Sequence, residues 1–456
     1  MNAHLNRIAG PHGMAAFALC VLVASCAALP EVDREQTRAS AAPVSKQAAE
    51  LLARRWARAT PDMKALALLE QAATGVPLIA GNKVSLLFDG PATMKEMMAA
   101  VQAAKSTINL ETYIFDQDAL GLAFADLLIE KQRQGVAVNL LYDSVGTLGT
   151  PQAFFDRMRA AGIHLIAFNP INPAAAKGKW AFNNRDHRKL LVVDGKLAFT
   201  GGINISSTYA NSSFFRSQHK PEAPGARPVG WRDTHIKVEG PAVAALQWTF
   251  VNAWVRQEAG DLSEGDYFPP LAPAGNKVVR VLATDPNRGF EIYKSLILAI
   301  QEARKSIHIT AAYFVPDRQL VDALVAAARR GVDVRLVLPG VSEQDLVFQA
   351  GRAFYTELLE NGIKIFELQA AVLHAKTAVI DGNWSTVGST NLDRRSFIYN
   401  YELNVMVLDP GFGGEMESAF SEDLRDSREL SAEQWRKRPF GQRIKEWAAQ
   451  LAQYWI

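Results

Sequence analysis

The sequence contains little cysteine and almost no imbalance of charge. Its 456 residues include 2 Cys, and Lys plus Arg number 49 against 47 Asp plus Glu. A near-neutral chain has no general attraction to polyanions, so a nucleic-acid partner would need a local basic patch and is not expected. The HExxH, Walker and GxGxxG motifs are also missing from any convincing context, which argues against the zinc-protease and nucleotide-binding sites that they mark.

The first 25 residues have the pattern of a secretory signal. A basic residue precedes an apolar run, Ala15 to Ala24, that is too short to span a bilayer comfortably. Val23-Ala-Ser-Cys26 resembles a bacterial lipobox, in which the peptide is cut before the Cys and that Cys carries the lipid. We expect residues 1–25 to be removed and Cys26 to be lipidated. An uncleaved or non-lipidated signal is the alternative.

Lipidation at Cys26 would anchor the protein to a membrane of the bacterial envelope, facing the periplasm. Ala27 after the Cys slightly favours the outer over the inner membrane. Cys26 would then be the only cysteine of the mature chain, which excludes an internal disulfide and a thiolate metal cluster.

Two similar blocks follow residues 26–80, which are expected to form a tether and a helical lead-in. In each block a helix leads to a strand, and a second helix ends at a Gly before the next strand. The predicted elements are helix Thr93–Ala104, strand Ser106–Phe115, helix Leu120–Gln134 and strand Val136–Tyr142, then helix Ile292–Ala303, strand Ser306–Phe314, a helix ending at Arg330 and strand Val332–Leu338. This alternation predicts an α/β fold.

The two blocks are expected to be separate domains. The Pro- and Gly-rich stretch Phe268–Gly275 is the natural junction between them. We therefore predict a first domain over 81–267 and a second over 268–456, each a mixed sheet flanked by helices, with a C-terminal helix in the second.

Each block ends in the same arrangement of His, Lys, Asp and Asn. The matching residues are His187, Lys189, Asp194 and Asn204 in the first block and His374, Lys376, Asp381 and Asn391 in the second. The His-to-Asn separation is 17 in both, from 204 − 187 and 391 − 374. Given the histidine content of the chain, chance predicts only ~0.02 HxKxxxxD matches. Two matches indicate a duplicated functional site.

The spacing has a geometric explanation. Asp194-Gly195 and Asp381-Gly382 predict two-residue hairpin turns. This register would place His187 opposite Gly202 and His374 opposite Ser389. His and Lys at positions i and i+2 project from one face of a strand, and the Asn arrives beside them on the return strand.

The motif Asp residues should lie far from the motif histidines. Seven residues of strand at about 3.3 Å each separate His187 from Asp194 by roughly 23 Å. We therefore interpret Asp194 and Asp381 mainly as turn-forming and salt-bridging residues. A direct catalytic role is the alternative.

The residue types suit phosphodiester chemistry. Lys ammonium and Asn amide groups can surround the non-bridging oxygens of a phosphodiester, so Lys189, Asn204, Lys376 and Asn391 are candidate phosphate ligands. A neutral His can attack phosphorus while a second His protonates the leaving alcohol and then deprotonates the incoming hydroxyl. The repeat supplies one His from each half.

These motifs resemble the double HxKxxxxD signature of the phospholipase D superfamily. Segments Asn183–Lys189, Gly230–Val243 and Gly388–Ser396 look most like bacterial cardiolipin synthases, and the resemblance covers about Leu87 to the C-terminus. It implies two phospholipase D-type α/β domains packed with pseudo-twofold symmetry around one active site. It also implies that neither a metal nor another cofactor takes part.

The resemblance further implies residue roles. His187 would be the nucleophile and His374 the general acid and base, although the motifs themselves do not fix this order. Each His would be held by a distant carboxylate, for which Asp233 and Glu402 are the best matches. An ordinary salt bridge is the alternative for both carboxylates.

The activity that this resemblance implies is phosphatidyl transfer, as in cardiolipin synthase. The substrates would be phosphatidylglycerol and, as an alternative donor, phosphatidylethanolamine, met at a membrane surface. A phospholipase D hydrolase that releases phosphatidic acid is the main alternative, since exclusion of water decides between them. A secreted nuclease, which would need a basic groove, and a non-catalytic lipid-binding scaffold are less favoured. The oligomeric state is not predicted.

The C-terminal tail interleaves basic and aromatic residues from Trp435 to Ile456. This pattern is typical of an interfacial helix on anionic lipid. A helix packed on its own domain is equally compatible with it.

Overall fold

The computed structural model describes residues 28–40, 61–176, 180–210, 230–258 and 260–452. Cys26 and the predicted signal lie outside the described residues. Within these ranges, helices α1 (Arg34–Ser40) and α2 (Pro61–Thr74) precede the first strand. In the part of the chain that is described, no helix is both long and apolar enough to cross a bilayer.

The first half of the molecule alternates strands and helices before it ends in a hairpin-rich region. Its elements are β1 (Ile79–Leu87), α3 (Gly90–Ala103), β2 (Thr107–Thr112), α4 (Ala119–Arg133), β3 (Ala137–Asp143), α5 (Gln152–Ala160), β4 (His164–Phe168), β5 (Arg185–Asp186), β6 (Leu190–Val193), β7 (Leu197–Gly201), α6 (Ser207–Ala210), β8 (Trp231–Arg232), β9 (His235–Glu239) and α7 (Ala242–Arg256).

The second half repeats this order with insertions. Its elements are β10 (Lys277–Thr284), α8 (Glu291–Glu302), β11 (Ser306–Ala311), β12 (Phe314–Val315), α9 (Arg318–Arg329), β13 (Asp333–Pro339), α10 (Asp345–Arg352), α11 (Tyr355–Glu360), β14 (Lys364–Leu368), β15 (Val372–Leu373), β16 (Lys376–Ile380), β17 (Trp384–Gly388), β18 (Leu392–Asp393), α12 (Arg394–Ile398), β19 (Asn400–Leu408), α13 (Pro410–Arg425), β20 (Ser427–Leu430), α14 (Ala432–Arg436) and α15 (Phe440–Leu451).

Equivalent helices in the two halves begin and end in the same way. The carboxylate of Asp118 accepts the N–H of Gly121 at the start of α4, and Asp317 caps α9 similarly. Just beyond the ends of α4 and α9, Gly135 and Gly331 have φ of 89° and 90°, a left-handed conformation that favours glycine. These local signals explain why the predicted bounds of α4 and the predicted end of α9 lie within one residue of those observed.

One continuous mixed sheet runs through both halves. At its centre β1 and β10 pair antiparallel. From there the first half continues as β9-β7-β6-β2-β3-β4 and the second as β19-β17-β16-β11-β13-β14, with β20 added at the edge. Equivalent strands therefore lie at equivalent positions on either side of the centre. The predicted α/β fold with two similar halves is confirmed.

Two short strands cross between the halves. β5 pairs with β19 of the second half, and β15 pairs with β8 of the first. The N–H of His187, directly after β5, donates to the carbonyl of Tyr401 at 3.0 Å, and the N–H of His374, directly after β15, donates to the carbonyl of Arg232 at 2.8 Å. Each motif His is thus positioned by the backbone of the opposite half.

The hairpin turns have the predicted conformation but not the predicted register. Asp194 and Gly195 have φ of 51° and 61°, and Asp381 and Gly382 have φ of 53° and 65°, as expected for left-handed turn residues. Strand pairing nevertheless closes three-residue turns, because the residue before each Asp pairs with the residue four positions on.

The predicted pairings of His187 with Gly202 and of His374 with Ser389 are therefore wrong. Pairing within the first hairpin begins only at Leu190, since His187 has already turned toward the other half. The Asp-Gly turn signals favoured hairpins that extend as far as the histidines. The pairing of β5 and β15 with the opposite half instead sets the backbone path at His187 and His374.

The lead-in helix α2 packs on the second half. Its buried Glu70 accepts hydrogen bonds from Ser295 Oγ at 2.6 Å and Trp384 Nε1 at 2.8 Å. Arg280 of β10, also fully buried, lies 3.8 Å from Glu70 and donates to the carbonyl of Ala67 at 2.8 Å. Burial raises the pKa of Glu70 against the opposing effect of Arg280. α2 is therefore part of the core of the second half.

Candidate active site

Each motif histidine contacts a buried carboxylate from the opposite half. Nδ1 of His187 lies 3.1 Å from both carboxylate oxygens of Glu402, and Nδ1 of His374 lies 2.6 Å from Oδ2 of Asp233. Both carboxylates are fully buried, and the two histidines are exposed by 8% and 7%. A carboxylate at Nδ1 favours the tautomer with the proton on that nitrogen, which leaves Nε2 free to act on a substrate.

The two carboxylates have different surroundings. Glu402 also accepts hydrogen bonds from Ser389 Oγ at 2.5 Å and Asn400 Nδ2 at 3.1 Å. Burial opposes its ionisation, but His187, Lys189 and the Ser389 hydroxyl together lower the pKa of Glu402 below its usual value. Glu402 is therefore an ionised carboxylate at neutral pH.

Asp233 has fewer donors. It accepts the N–H of Thr234 at 2.7 Å, and Gly202, the counterpart of Ser389, packs so closely that a Cβ there would lie 2.1 Å from Oδ1. Burial raises the pKa of Asp233 to about 6 despite the nearby charge of Lys376. The carboxyl group of Asp233 is therefore held less firmly in its ionised form than that of Glu402.

The two motif lysines are buried beside the histidines. Each donates from Nζ to the backbone carbonyl of its own motif His. Burial lowers the pKa of Lys189 to about 7, an effect that Glu402 opposes and Lys376 increases. Burial likewise lowers the pKa of Lys376 to about 8, opposed by Asp233 and Glu402. The two motifs thus act on each other electrostatically.

The imidazoles are neutral in this environment. Burial lowers the pKa of His187 to about 4, against the attraction of Glu402. Burial and the charges of Lys376, Lys189 and His187 hold the pKa of His374 well below its ordinary value. The charges of His187 and Lys189 thus act on His374 across the interface between the halves.

Aromatic side chains enclose the two imidazoles. Tyr113 packs edge-on against His187 with ring centroids 5.1 Å apart, and its ring lies 5.3 Å from Lys189 Nζ. Tyr209 and Trp231 pack against His374 at 5.6 and 5.0 Å. These contacts limit the access of water to the imidazoles.

The motif asparagines are not equivalent. Asn204 Oδ1 accepts the N–H of Ile114 at 3.1 Å, and its Nδ2 donates to the hydroxyl of Tyr209 at 2.7 Å. In contrast, Oδ1 of the buried Asn391 makes no hydrogen bond with any described residue. Tyr209 was missed from the sequence, because its position on a short helix carries no motif.

The motif aspartates make structural contacts away from the imidazoles. Asp194 Oδ1 accepts the backbone N–H groups of Ser106 and Thr107 at 2.7 and 3.0 Å. Asp381 Oδ1 does the same for Lys305 and Ser306 at 2.7 and 3.0 Å. Of the two roles considered for Asp194 and Asp381, these contacts are those of turn-forming residues that tie each hairpin to the start of the neighbouring strand.

Among the described residues, no group of three or more His, Cys, Asp and Glu side chains is arranged to hold a metal ion. The charged side chains of the site instead pair with one another.

Comparisons with known proteins agree with this geometry. A family model described as the PLD-like domain of cardiolipin synthase matches residues 97–214 and 296–424. Cardiolipin synthase from Geobacillus kaustophilus is 35% identical over 378 residues, which cover 82% of this chain and 72% of the relative. Cardiolipin synthase A from Pseudomonas aeruginosa is 34% identical over 385 residues, covering 84% and 74%.

A solved structure shares the fold. The crystal structure of phosphatidylserine synthase from Haemophilus influenzae superposes with a TM-score of 0.65 at 14% identity, over 86% of this chain and 100% of that chain. Together with the family match over both halves, these relatives confirm the resemblance inferred from the motifs. The chain belongs to the cardiolipin synthase branch of the phospholipase D superfamily and is a phosphodiester transferase.

Proposed function

We propose that this protein makes cardiolipin by transferring a phosphatidyl group through a phosphohistidine on His187. The observation that carries the proposal is the reciprocal contact of each imidazole with a carboxylate of the other half, Glu402 for His187 and Asp233 for His374. This arrangement supplies two Nε2 atoms in one buried site, one for attack on phosphorus and one for proton transfer.

In the first step, Nε2 of His187 attacks the phosphorus of a donor phospholipid. The bond between phosphorus and the headgroup oxygen breaks. His374, which takes up a proton from solvent when the anionic donor binds, gives that proton to the departing alcohol. The products are a phosphatidyl-His187 intermediate and free glycerol from phosphatidylglycerol, or ethanolamine from phosphatidylethanolamine.

In the second step, His374 accepts the proton of the glycerol hydroxyl of a phosphatidylglycerol molecule. The hydroxyl oxygen attacks phosphorus, the nitrogen–phosphorus bond breaks, and cardiolipin leaves. His187 and His374 return to their starting protonation states, so the cycle needs no other co-reactant.

The carboxylate environments support this division of roles. Glu402 is ionised and strongly hydrogen-bonded, which suits a partner that orients a neutral nucleophile. Asp233 has a raised pKa and the shorter contact, which suits a partner that helps His374 hold a proton. A bound phosphodiester anion would offset the charges of Lys189 and Lys376, which lower the pKa of His374, and so favour protonation of His374.

Phosphate binding is assigned to Lys189 and Lys376, with Asn204 and Asn391 beside them. The two ammonium groups would stabilise the charge on the non-bridging oxygens as the transition state forms. The unpartnered Oδ1 of Asn391 cannot bind an anion, so we assign phosphate contact to its amide Nδ2.

The substrates place the reaction at a membrane surface. We propose that Cys26 carries a lipid anchor and that the protein faces the periplasm, with the outer membrane slightly favoured. Replacing Cys26 with Ser would then abolish incorporation of labelled fatty acid into the protein, and a wild-type protein with an unlipidated Cys26 would contradict the anchor.

The test of function is product identification. Purified protein is incubated with labelled phosphatidylglycerol, with and without phosphatidylethanolamine. Cardiolipin supports the proposal, phosphatidic acid indicates a hydrolase, and cleavage of DNA without lipid turnover indicates a nuclease. Alkaline quenching followed by peptide mass spectrometry should find the phosphatidyl adduct on His187. His308 also pairs with a carboxylate, that of Glu417, but lies outside the site. The His308→Ala variant is therefore the control, in which the adduct on His187 should still form.

A further inference from the structure

The C-terminal helix α15 exposes a stripe of large apolar side chains. The stripe consists of Phe440, Ile444, Trp447 and Leu451, which are exposed by 73%, 48%, 61% and 58%. Their spacing of four, three and four residues places them along one face of a helix. A globular helix normally turns such a face toward the core, so this exposure needs an explanation.

The opposite face of α15 is the one that packs on the protein. Glu446 and Ala449 are buried there. Glu446 accepts from Arg438 Nε at 2.8 Å, and Gln442 Nε2 donates to Gln349 of α10 at 2.6 Å. These specific polar contacts hold the helix with its apolar stripe outward.

The charges of α15 complement an anionic surface. Arg443 and Lys445 are both exposed and form no ion pair with any described residue. Arg443 lies beside the stripe, whereas Lys445 lies about 130° round the helix from it. Glu446, the only acidic residue of the helix sequence, is turned inward. Exposed apolar residues together with basic ones are the pattern of a helix that lies in the interface of an anionic membrane.

The stripe lies at the end of the sheet that carries the active site. Ala449 packs in one cluster with Val315 of β12, and Val315 pairs with Asp393, two residues beyond Asn391. α15 packs on α10, and α10 follows the carboxyl end of β13 in the chain. β13 runs parallel to β11, whose last residue Ala311 pairs with Lys376.

The equivalent end of the first half is also apolar. Leu148, Ile171 and Trp180 are exposed by 65%, 44% and 40%. They lie on loops that follow β3 and β4, which run parallel to β2. Both halves therefore present apolar side chains at the end where the histidines are.

We propose that α15 is a docking helix for anionic phospholipid bilayers. The stripe from Phe440 to Leu451 inserts at the acyl boundary, and Arg443 and Lys445 contact lipid phosphates. Docking by this face turns the active-site end toward the lipid from which substrates come. The inference goes beyond the proposed reaction, since vesicle binding is measured without turnover.

The experiment measures flotation of the full chain with vesicles of phosphatidylglycerol or of phosphatidylcholine. All proteins carry Cys26→Ser, so that an acyl chain cannot mask the effect. Phe440→Ser with Trp447→Ser should lower the partition coefficient on phosphatidylglycerol vesicles by about tenfold or more. The matched control, Trp248→Ser with Val255→Ser, removes two exposed apolar residues of α7 and should change it less than about twofold.

The two basic residues are tested separately. Arg443→Gln with Lys445→Gln should weaken binding to phosphatidylglycerol vesicles by about tenfold or more, and leave binding to phosphatidylcholine unchanged. All substituted residues are exposed, so Tm should stay within a few degrees of the parent. Turnover of a short-chain phospholipid below its micelle concentration should also be unchanged.

Several results would overturn the proposal. Equal partitioning of the parent and the Phe440/Trp447 variant would do so, as would failure of the parent to bind either vesicle. An equal loss of vesicle binding in the α7 control would show that α15 is not the specific docking surface. A drop in oligomeric mass of the Phe440/Trp447 variant, with unchanged vesicle binding, would assign the stripe to a second copy of the chain instead.

Discussion

Nδ1 of His374 lies 2.6 Å from Oδ2 of Asp233, although the two residues come from opposite halves of the chain and are 141 positions apart. The corresponding distance from His187 to Glu402 is 3.1 Å. Neither His can be oriented unless the halves are docked, so assembly of the halves and assembly of the site are one event.

This reciprocity predicts that both carboxylates are needed for turnover. Asp233→Asn and Glu402→Gln should each lower kcat by about 10²-fold or more, because the amide cannot stabilise an imidazolium or fix its tautomer. Glu417→Gln is the matched control, since Glu417 lies 2.6 Å from Nδ1 of His308 outside the site. Steady-state assays on phosphatidylglycerol measure the effect. If Asp233→Asn kept the full kcat, the contact of Asp233 with His374 would be an ordinary salt bridge with no role in turnover.

The two carboxylate variants should differ with an activated substrate. A phosphatidyl ester of p-nitrophenol has a leaving group that needs no protonation, so Asp233→Asn should still form the intermediate on His187. We expect a burst of about one p-nitrophenolate per active site, followed by slow turnover. Glu402→Gln impairs the nucleophile itself and should show no burst. The reverse pattern would exchange the roles of His187 and His374.

The lysines predict an alkaline limb in the pH profile. Phosphate binding needs both ammonium groups, and burial lowers the pKa of Lys189 to about 7 and of Lys376 to about 8. These groups lose charge as pH rises, so kcat/KM should fall through pH 7–8, while the acid limb should lie near the His187 pKa of about 4. Lys189→Arg should keep its charge and shift the alkaline limb upward, toward the Lys376 pKa of about 8. A flat profile from pH 6 to 10 would contradict this assignment.

The hairpin aspartates predict an effect on stability rather than on catalysis. Asp194→Ala removes the acceptor for three consecutive backbone N–H groups, from Lys105 to Thr107, and should lower the free energy of unfolding by about 1–3 kcal/mol. Asp381→Ala should behave alike. Denaturant titration measures the loss, and kcat per active site should stay within about threefold. A large loss of kcat at unchanged stability would restore the catalytic alternative for both residues.

How much the sequence predicts depends on whether the signal is local. Helix α4 was predicted to within one residue at each end because Asp118 and Gly135 mark its limits. The crossing of β5 and β15 to the opposite half could not be predicted, since no local periodicity encodes the pairing of strands that are 215 and 141 residues apart, from 400 − 185 and 372 − 231. The hairpin register failed for the same reason. Asp233 and Glu402 were named from the family resemblance, not from any pattern around the histidines.

The position of α2 on the second half leads to the last prediction. Glu70→Ala would leave the donors of Ser295 and Trp384 unsatisfied and the buried guanidinium of Arg280 without its carboxylate. We expect the free energy of unfolding to fall by about 3–5 kcal/mol. Glu433→Ala, which breaks the exposed pair with Lys437, should cost less than about 1 kcal/mol. Denaturant titration of both variants measures the difference. Equal stability of the two would mean that the buried contacts of Glu70 with Arg280, Ser295 and Trp384 contribute no more than an exposed ion pair.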